Sequence, residues 1–376
     1  MNTLTLKGGA IMPEKILKKL TSFDTSLNGR TDLCIDYIAC ILKENGFKVK
    51  TFSVPDGKNK SLFAGIGISD LKNINDGLLL SGHIDTVVPN PNEWDSNPLT
   101  LAQKNGRLYG RGVVDMKFFT ACFLSLLPIK VSKPIFFCLT HDEETGAIGI
   151  RTICEFMREN SIYPKYALVG EPTDFMLCTA TKGYLGLDTT FIGKTCHSSE
   201  PDKGIHALNI ASHFVSYLEK MNTIYMPQGL TLNAGILNSG TARNCVPERA
   251  ILNWEIRFNK KSVFDEFYQK FLTFEQKLQA QYPASQIQTT SVFSFDCFEH
   301  REQSILRETA KKILNTSFCQ KPYATEAGHI QNLGTDVLVC GAGEGNQMHV
   351  PNESIQRNDL IRYQAFLKEL IYKISF

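Results

Sequence analysis

The stretch "SGHIDTVVPN" at residues 81–90 directly follows the apolar residues 78–80. Such a run is typical of a buried strand, and His83 and Asp85 come where that strand should end. A strand that ends in a histidine and a carboxylate can deliver both groups to a functional site. A His-x-Asp pair is also common in surface turns, so this stretch alone leaves both interpretations open.

The composition is that of a globular chain long enough for more than one domain. Its 376 residues are 43% hydrophobic and 21% charged, and 40 basic against 38 acidic residues give a net charge of +2. The length favours two domains. The balanced charge argues against nucleic acid or an anionic membrane surface as a partner, and the absence of a run of about 18 apolar residues argues against a membrane span.

The cysteines and the start of the chain bear on the compartment. Eleven cysteines are scattered along the chain without a Cys-x-x-Cys pair. An odd number without framework spacing favours reduced thiols. The first 20 residues lack the long apolar core and the cleavage site of a signal peptide. We therefore expect a cytoplasmic protein.

Short apolar runs alternate with helical patterns over the first 180 residues. Apolar positions recur at helical spacing in 31–46, and a second helix is predicted at 115–127. The strand candidates lie near 47–53, 61–67, 77–82, 134–140 and 166–170. This alternation predicts an α/β layer structure.

A different pattern begins near residue 181, where a half-exposed strand is predicted. The elements predicted after it are a helix at 204–221, strands at 229–237 and 250–258, a helix at about 262–281 and a strand at about 286–294. The order β-α-β-β-α-β is a split βαβ arrangement, which can fold as a small ferredoxin-like α+β domain.

The first pattern then resumes, because residues 336–343, "DVLVCGAG", read as another buried parallel strand. We therefore predict that residues 181–290 form a domain inserted into a larger one. The larger domain would consist of residues 1–180 and 291–376.

Histidines and carboxylates recur where predicted strands end or helices begin. The candidates are His83, Asp115, Glu144, Glu171 and His349. In open α/β sheets, ligands bind beyond the carboxyl ends of the strands, so these separate segments should meet at one edge. Imidazole and carboxylate groups bind zinc and other divalent cations without a thiolate. Five such groups can hold two metal ions when one carboxylate bridges them.

Two further carboxylates have separate predicted roles. Glu143, adjacent to Glu144, is not among the five groups that would hold the two metal ions. It could act as a general base for an activated water. Asp85 could orient the imidazole of His83. A Glu-Glu pair is also common at a solvated helix start, and only the recurrence of such groups at strand ends favours the metal site.

Seven motifs together resemble a known family in their order and approximate spacing. They are "SGHIDTVVP", "WDSNPLT", "GRLYGRGVVDMK", "DEETGAIG", "VGEPTD", "GKTCHSSEPDKG" and "MHVPNE". The family is that of the dinuclear zinc deacylases and exopeptidases, which includes acetylornithine deacetylase, succinyl-diaminopimelate desuccinylase and glutamate-releasing carboxypeptidase. The resemblance covers nearly the whole chain. It implies a zinc-exopeptidase-like catalytic domain with a central mixed sheet.

The resemblance also implies how two metal ions, zinc or cobalt, would be held. His83 and Glu171 would hold one ion, Glu144 and His349 would hold the other, and Asp115 would bridge them. In this family the peptide bond after the bridging aspartate is often cis.

The remaining roles follow from the same resemblance. Glu143 would be the base, and Asp85 would orient a metal-binding histidine. The inserted segment resembles a lid and dimerisation domain, which implies a homodimer in which His197 of "TCHSS" reaches the partner's active site and stabilises the oxyanion. Asn244 and Arg257 match lid positions that contact substrate in relatives. An exposed strand arginine is an alternative interpretation of Arg257.

Within the family, "GEPTD", "TKGYLG", "HSSEPDKGIHALN" and "ATEAGHIQNLG" look most similar to acetylornithine deacetylase. The run 325–327 differs from the Gly-Thr-Ser-Asp type expected of desuccinylases, and Thr325 is a candidate substrate contact. The stretch "NCVPE" is instead similar to desuccinylases and peptidases. We expect an amidohydrolase that converts the small molecule N-acetylornithine and water to ornithine and acetate, a step of arginine biosynthesis. N-succinyl-diaminopimelate and small peptides are the alternative substrates.

A metal-free binding protein of the same fold is the alternative from a different class. Ligand completeness discriminates between the two, because a binding protein that had lost its metals need not keep the ligands. All five candidate ligands and Glu143 are present, which favours the enzyme.

Overall fold

The structure is a computed structural model that describes residues 12–55, 57–299, 301 and 303–375. Its helices are α1 (Pro13–Thr21), α2 (Asp32–Glu44), α3 (Lys117–Leu124), α4 (Ile148–Glu159), α5 (Ala207–Tyr225), α6 (Lys261–Gln281), α7 (Ile305–Leu314), α8 (Ala327–Gln331) and α9 (Arg357–Ser375). Its strands are β1 (Lys48–Ser53), β2 (Lys60–Ile66), β3 (Leu78–His83), β4 (Ala102–Lys104), β5 (Arg107–Tyr109), β6 (Ile135–Thr140), β7 (Tyr166–Val169), β8 (Leu177–Thr181), β9 (Gly183–Ile192), β10 (Leu230–Ser239), β11 (Arg249–Phe258), β12 (Gln286–Phe295), β13 (Phe318–Lys321), β14 (Asp336–Val339) and β15 (Ser354–Gln356).

The first of two compact units comprises the described residues of Met1–Thr179, His300–Gln320 and His329–Phe376. Its main sheet has the strand order β1-β2-β6-β3-β7-β14-β8-β13. Strand β3 runs parallel to β6 and β7, and β14 runs parallel to β7, whereas β1, β2 and β8 pair antiparallel with their neighbours. The predicted α/β fold with a central mixed sheet is therefore confirmed.

The central strands β3 and β6 are buried along their whole length. Every residue of β3 and β6 is buried, as expected of parallel strands that have helices on both sides. Phe123 of α3 stacks on Phe137 of β6 with ring centroids 4.4 Å apart. Burial of such side chains away from water is the main stabilising contribution to this layer.

The register of the parallel strands brings their carboxyl ends to one edge. His83 at the end of β3 lies opposite Thr140 at the end of β6, and Val169 at the end of β7 lies opposite Val339 at the end of β14. The loops that follow these four strands therefore begin side by side, which is where α/β sheets bind ligands.

The second unit comprises Ala180–Glu299 and Lys321–Gly328. Its antiparallel sheet has the strand order β10-β11-β9-β12, and α5 and α6 lie between strands in the chain. The element order and the strand order are compatible with the predicted ferredoxin-like arrangement. The unit extends past the predicted boundary at residue 290, because β12 keeps pairing with β9 as far as Phe295.

The sequence argued against a membrane-spanning segment and in favour of reduced cysteines. Among the described residues, no helix combines the length and the apolar character that crossing a membrane requires. All eleven cysteines are free thiols, and seven of them, Cys34, Cys122, Cys138, Cys154, Cys178, Cys297 and Cys340, are buried. These buried thiols act as small apolar side chains.

The core of the second unit is built around Phe214 of α5. Its ring lies 5.4 Å from the ring of Phe191, 5.6 Å from that of Trp254 and 5.8 Å from that of Phe271, all in edge-on geometry. The side chain is fully buried. Edge-to-face aromatic packing of this kind adds to the free energy gained from burial.

We predict that Phe214→Ala lowers the free energy of unfolding of the second unit by about 3–5 kcal/mol, the usual cost of truncating a buried phenylalanine. The chain has two tryptophans, so a Trp94→Phe background leaves Trp254 as the reporter in a urea titration. Ile224→Ala, at a position 46% exposed, is the control and should change the free energy by less than about 0.5 kcal/mol. Equal midpoints for both variants would contradict the prediction.

Candidate metal centre

The candidate ligands all come from the first unit and lie at or just after element ends. His83 is the last residue of β3, and Glu171 is two residues past β7. Glu144 lies in the loop after β6, and Asp115 lies just before α3. His349 lies in the loop between β14 and β15. The peptide bond after Asp115 is cis, as the resemblance implied.

These side chains form two groups that share Asp115. His83, Asp115 and Glu171 offer ligand atoms within 4.8 Å of one another, and so do Asp115, Glu144 and His349. Asp115 Oδ1 is 3.0 Å from His83 Nε2, and Asp115 Oδ2 is 3.0 Å from His349 Nε2. Each histidine also lies near a second carboxylate: Glu171 Oε1 is 3.8 Å from His83 Nε2, and Glu144 Oε1 is 3.1 Å from His349 Nε2. The structure thus brings together the two sets that the resemblance implied.

Asp85 connects the two parts of this centre. His83 Nδ1 is 3.0 Å from the backbone oxygen of Asp85 and 3.5 Å from its carboxylate. Because a carbonyl oxygen can only accept, Nδ1 carries the proton when the imidazole is neutral, and Nε2 then has a lone pair for a cation. The Asp85 carboxylate accepts from the backbone N–H groups of Glu143 and Glu144 at 3.2 and 2.9 Å. Asp85 therefore orients the imidazole and also fixes the loop that carries both glutamates.

Burial and like charge shape the titration of these carboxyl groups. Burial raises the pKa of Glu143 well above its ordinary value, and the nearby carboxylates of Glu171, Glu144 and Asp115 add to this increase, whereas His83 opposes it. Burial also raises the pKa of Glu144, and Asp115 adds to the increase. Closely spaced carboxylates in a water-poor site repel one another, and a bound cation relieves that repulsion.

The imidazoles carry the complementary charge. Hydrogen bonds to Asp115 and Glu144 raise the pKa of His349 to about 10. Burial disfavours the charged form of His83, yet its carboxylate neighbours, led by Asp115, raise its pKa well above the ordinary value. Burial likewise acts against the charged form of Asp115, but the two histidines keep its pKa below the usual range. Imidazole nitrogens and carboxylate oxygens without a thiolate are a donor set that suits zinc and similar divalent ions.

Glu143 lies beside the centre but outside both groups. Its backbone is held by Asp85 through its N–H, and its side chain is partly buried. Its carboxyl group, with a raised pKa, holds a proton more readily than an ordinary glutamate does.

His197 and Asn244 come together in the second unit. The backbone N–H of Ser198 donates to the backbone oxygen of Asn244 at 3.0 Å. The backbone N–H of Ser199 donates to His197 Nδ1 at 3.2 Å, so the proton of the neutral imidazole is on Nε2. The His197 side chain is exposed and therefore presents an N–H donor, which is the type of group that stabilises an oxyanion.

The other two candidate substrate contacts also lie in the second unit. Arg257 donates from Nε and Nη2 to the carboxylate of Glu255 at 3.2 and 3.4 Å, and its guanidinium lies 3.9 Å from the ring centroid of Tyr184. The sequence motifs assign no role to either partner, although Glu255 is two positions away on the same strand face and the period of two places it beside Arg257. Thr325 is fully buried, and its hydroxyl accepts from the N–H of Ala327 at 3.2 Å. The structure thus places every metal-ligand candidate in one unit and His197, Asn244, Arg257 and Thr325 in the other.

Comparisons with known proteins identify the family. The family model described as peptidase family M20/M25/M40 matches residues 79–373. An acetylornithine deacetylase from Buchnera aphidicola subsp. Acyrthosiphon pisum (strain APS) is 28% identical to this chain over 359 residues, which cover 91% of each protein.

Two solved structures have the same fold. A tripeptidase from Staphylococcus aureus superposes with a TM-score of 0.77 at 20% identity, over 98% of this chain and 100% of that one. A dinuclear metal-binding peptidase of the M20 family from Bacillus subtilis gives a TM-score of 0.65 at 13% identity, over 96% and 97% of the two chains. At these identities the likeness concerns the fold alone. Because the family model spans most of the sequence and a curated relative aligns along nearly all of it, this chain belongs to peptidase family M20/M25/M40 and is a hydrolase of amide bonds.

Proposed function

We propose that this hydrolase removes the acetyl group from N-acetylornithine and uses two divalent cations, zinc or cobalt, to do so. The metal dependence in this proposal rests on Asp115, whose two carboxylate oxygens each lie 3.0 Å from the Nε2 atom of a different histidine. The substrate is supported by the acetylornithine deacetylase relative and by the sequence motifs that resemble that enzyme. Acetate and ornithine are the products.

Each cation is assigned two ligands of its own besides the shared Asp115. His83 and Glu171 would hold one, and Glu144 and His349 would hold the other, in line with the two groups of ligand atoms. When bound, such a pair of cations lowers the pKa of water and polarises the amide carbonyl.

The chain's own groups handle the proton and the developing charge. Glu143 takes the proton from the attacking water and later delivers it to the leaving amine nitrogen. His197 donates from Nε2 to the oxyanion. Arg257 exchanges its bond with Glu255 for one with the substrate carboxylate, which a guanidinium can bind with two parallel hydrogen bonds. Asn244 contributes a further contact with the substrate.

The protein is proposed to act as a homodimer in the cytoplasm. Strand β10 lies at an edge of its sheet, and residues 233–238 within it are exposed. They include Ile236, 56% exposed, and Leu237, 39% exposed. An exposed edge strand with apolar side chains is a surface on which a second copy can pair.

Glu143→Gln should leave the binding of two divalent cations nearly unchanged and should lower kcat by about 100-fold or more, as expected for loss of a general base. Metal content by elemental analysis and steady-state kinetics measure the two effects. Glu155→Gln, an exposed change on α4, is the matched control and should behave like the unmodified protein. Metal content that falls together with activity would identify Glu143 as a ligand instead.

N-acetylornithine should be hydrolysed with a higher kcat/KM than N-succinyl-diaminopimelate or small peptides. The run at 325–327 and the motifs shared with the deacetylases are the reason for this expectation. A panel of the three substrate classes, assayed with added Zn²⁺ or Co²⁺, provides the comparison. A higher value for the succinyl substrate would overturn the substrate but not the amidohydrolase activity, and a higher value for a tripeptide would favour an exopeptidase.

His197 should complete the active site of the partner subunit. Glu143→Gln and His197→Ala are each expected to be inactive, and co-expression of the two should restore about a quarter of the unmodified activity, because half of randomly paired dimers are mixed and one of their two sites is intact. Mixed dimers are verified with two affinity tags. Mixed dimers as inactive as the parent variants would show that His197 acts within its own chain.

A further inference from the structure

The carboxylate of Glu353 makes a concentrated set of hydrogen bonds in the first unit. Glu353 Oε2 accepts from Arg111 Nη1 at 2.8 Å and from the backbone N–H of Gly112 at 2.9 Å. Glu353 Oε1 accepts from the backbone N–H groups of Val114 at 2.7 Å and Asp115 at 3.1 Å. The side chain is fully buried. One carboxylate therefore holds the loop that ends in the shared ligand of the candidate metal centre.

This loop depends on an outside acceptor for its backbone donors. It precedes α3, so the N–H groups of Gly112, Val114 and Asp115 are outside helices and strands, and buried donors of this kind require a partner. Gly112 has φ of 81°, a conformation that glycine adopts readily. The backbone of Glu353 adds a further connection, because its oxygen accepts from the N–H of Gly110 at 3.1 Å.

The hydrogen bonds of Glu353 also connect two segments that each carry a candidate metal ligand. Glu353 is four residues after His349, which belongs to one of the two ligand groups, whereas Asp115 belongs to both. The Glu353 carboxylate therefore joins two segments 238 positions apart in the chain, and each segment carries a candidate ligand. A shift of either segment would change the distance between Asp115 Oδ2 and His349 Nε2, which is 3.0 Å.

We propose that Glu353 is a positioning residue of the metal centre, which fixes the backbone of Asp115 relative to the loop of His349 so that Asp115 can serve both cations. The inference rests on the proposed two-cation function. Glu353 does not contact the cations or the substrate in this role. It acts through the backbone of Asp115 and through Arg111, and outer groups of this kind commonly change metal affinity by about 10–100-fold when altered.

Two substitutions separate the charge of Glu353 from its reach. Glu353→Gln keeps the size of the side chain but turns an N–H₂ group toward donors, so that at least one bond is lost. Glu353→Asp keeps the charge but shortens the side chain by one methylene, so that it cannot reach all four donors at once. Glu344→Gln is the matched control, because Glu344 is exposed and lies in the same loop, five residues before His349.

The test titrates cation-free full-length protein with Co²⁺ and follows both the binding constant and the visible absorption of the bound ion, which reports the ligand geometry. Thermal unfolding of the cation-free protein is measured alongside. We expect Glu353→Gln to bind Co²⁺ at least about tenfold more weakly with an altered spectrum, Glu353→Asp to lie between it and the unmodified protein, and Glu344→Gln to match the unmodified protein.

A lower Tm with unchanged Co²⁺ affinity and spectrum would show that Glu353 stabilises only the fold, and it would overturn this inference while the proposed function stands. An unmodified protein that does not bind Co²⁺ would instead overturn the proposed function, and the inference with it. If Glu353→Gln does not fold, the same comparison is made with Glu353→Asp and Arg111→Lys. If both variants bind Co²⁺ with the affinity and the spectrum of the unmodified protein, the inference is overturned.

Discussion

Repulsion among carboxylates in a buried space is the constraint on which the site depends. Asp115 and Glu171 are 6% and 5% exposed, and the charge of Glu144 helps to raise the pKa of Glu143, while that of Asp115 helps to raise the pKa of Glu144. Burial of like charges costs several kcal/mol unless opposite charge compensates it. Two histidines provide part of that compensation, and the proposed cations would provide the rest. The scaffold must therefore hold the carboxylates rigidly, because they repel one another when nothing binds them.

The parallel core of the first unit provides that rigidity. Strands β3, β6, β7 and β14 are packed on both faces, and their carboxyl ends are in register. Residues at strand ends have well-defined backbones, so a ligand there is positioned more accurately than one on a free loop. The candidate ligands that lie outside strand ends need additional support, and the bonds of Asp85 and Glu353 to loop N–H groups provide it.

The two units have separate cores and carry separate sets of candidate groups. The first unit contains the metal-ligand candidates and Glu143, whereas the second contains His197, Asn244 and Arg257. In the proposed reaction, this division separates the activation of water from the recognition of the acyl amino acid. Specificity can then change through the second unit without disturbing the metal ligands.

By itself, the sequence determined the α/β class, the buried strands of the first unit and the β-α-β-β-α-β order of the second, because hydrophobic periodicity is a local signal. It also identified the ligand candidates, since each lies near the end of a predicted element. Only the tertiary structure decided that residues 321–328 belong to the second unit, that His83 donates to the backbone carbonyl of Asp85 and that Glu353 binds the loop before α3. These outcomes depend on contacts between residues far apart in the chain or on the direction of individual side chains, and neither leaves a periodic pattern in the sequence.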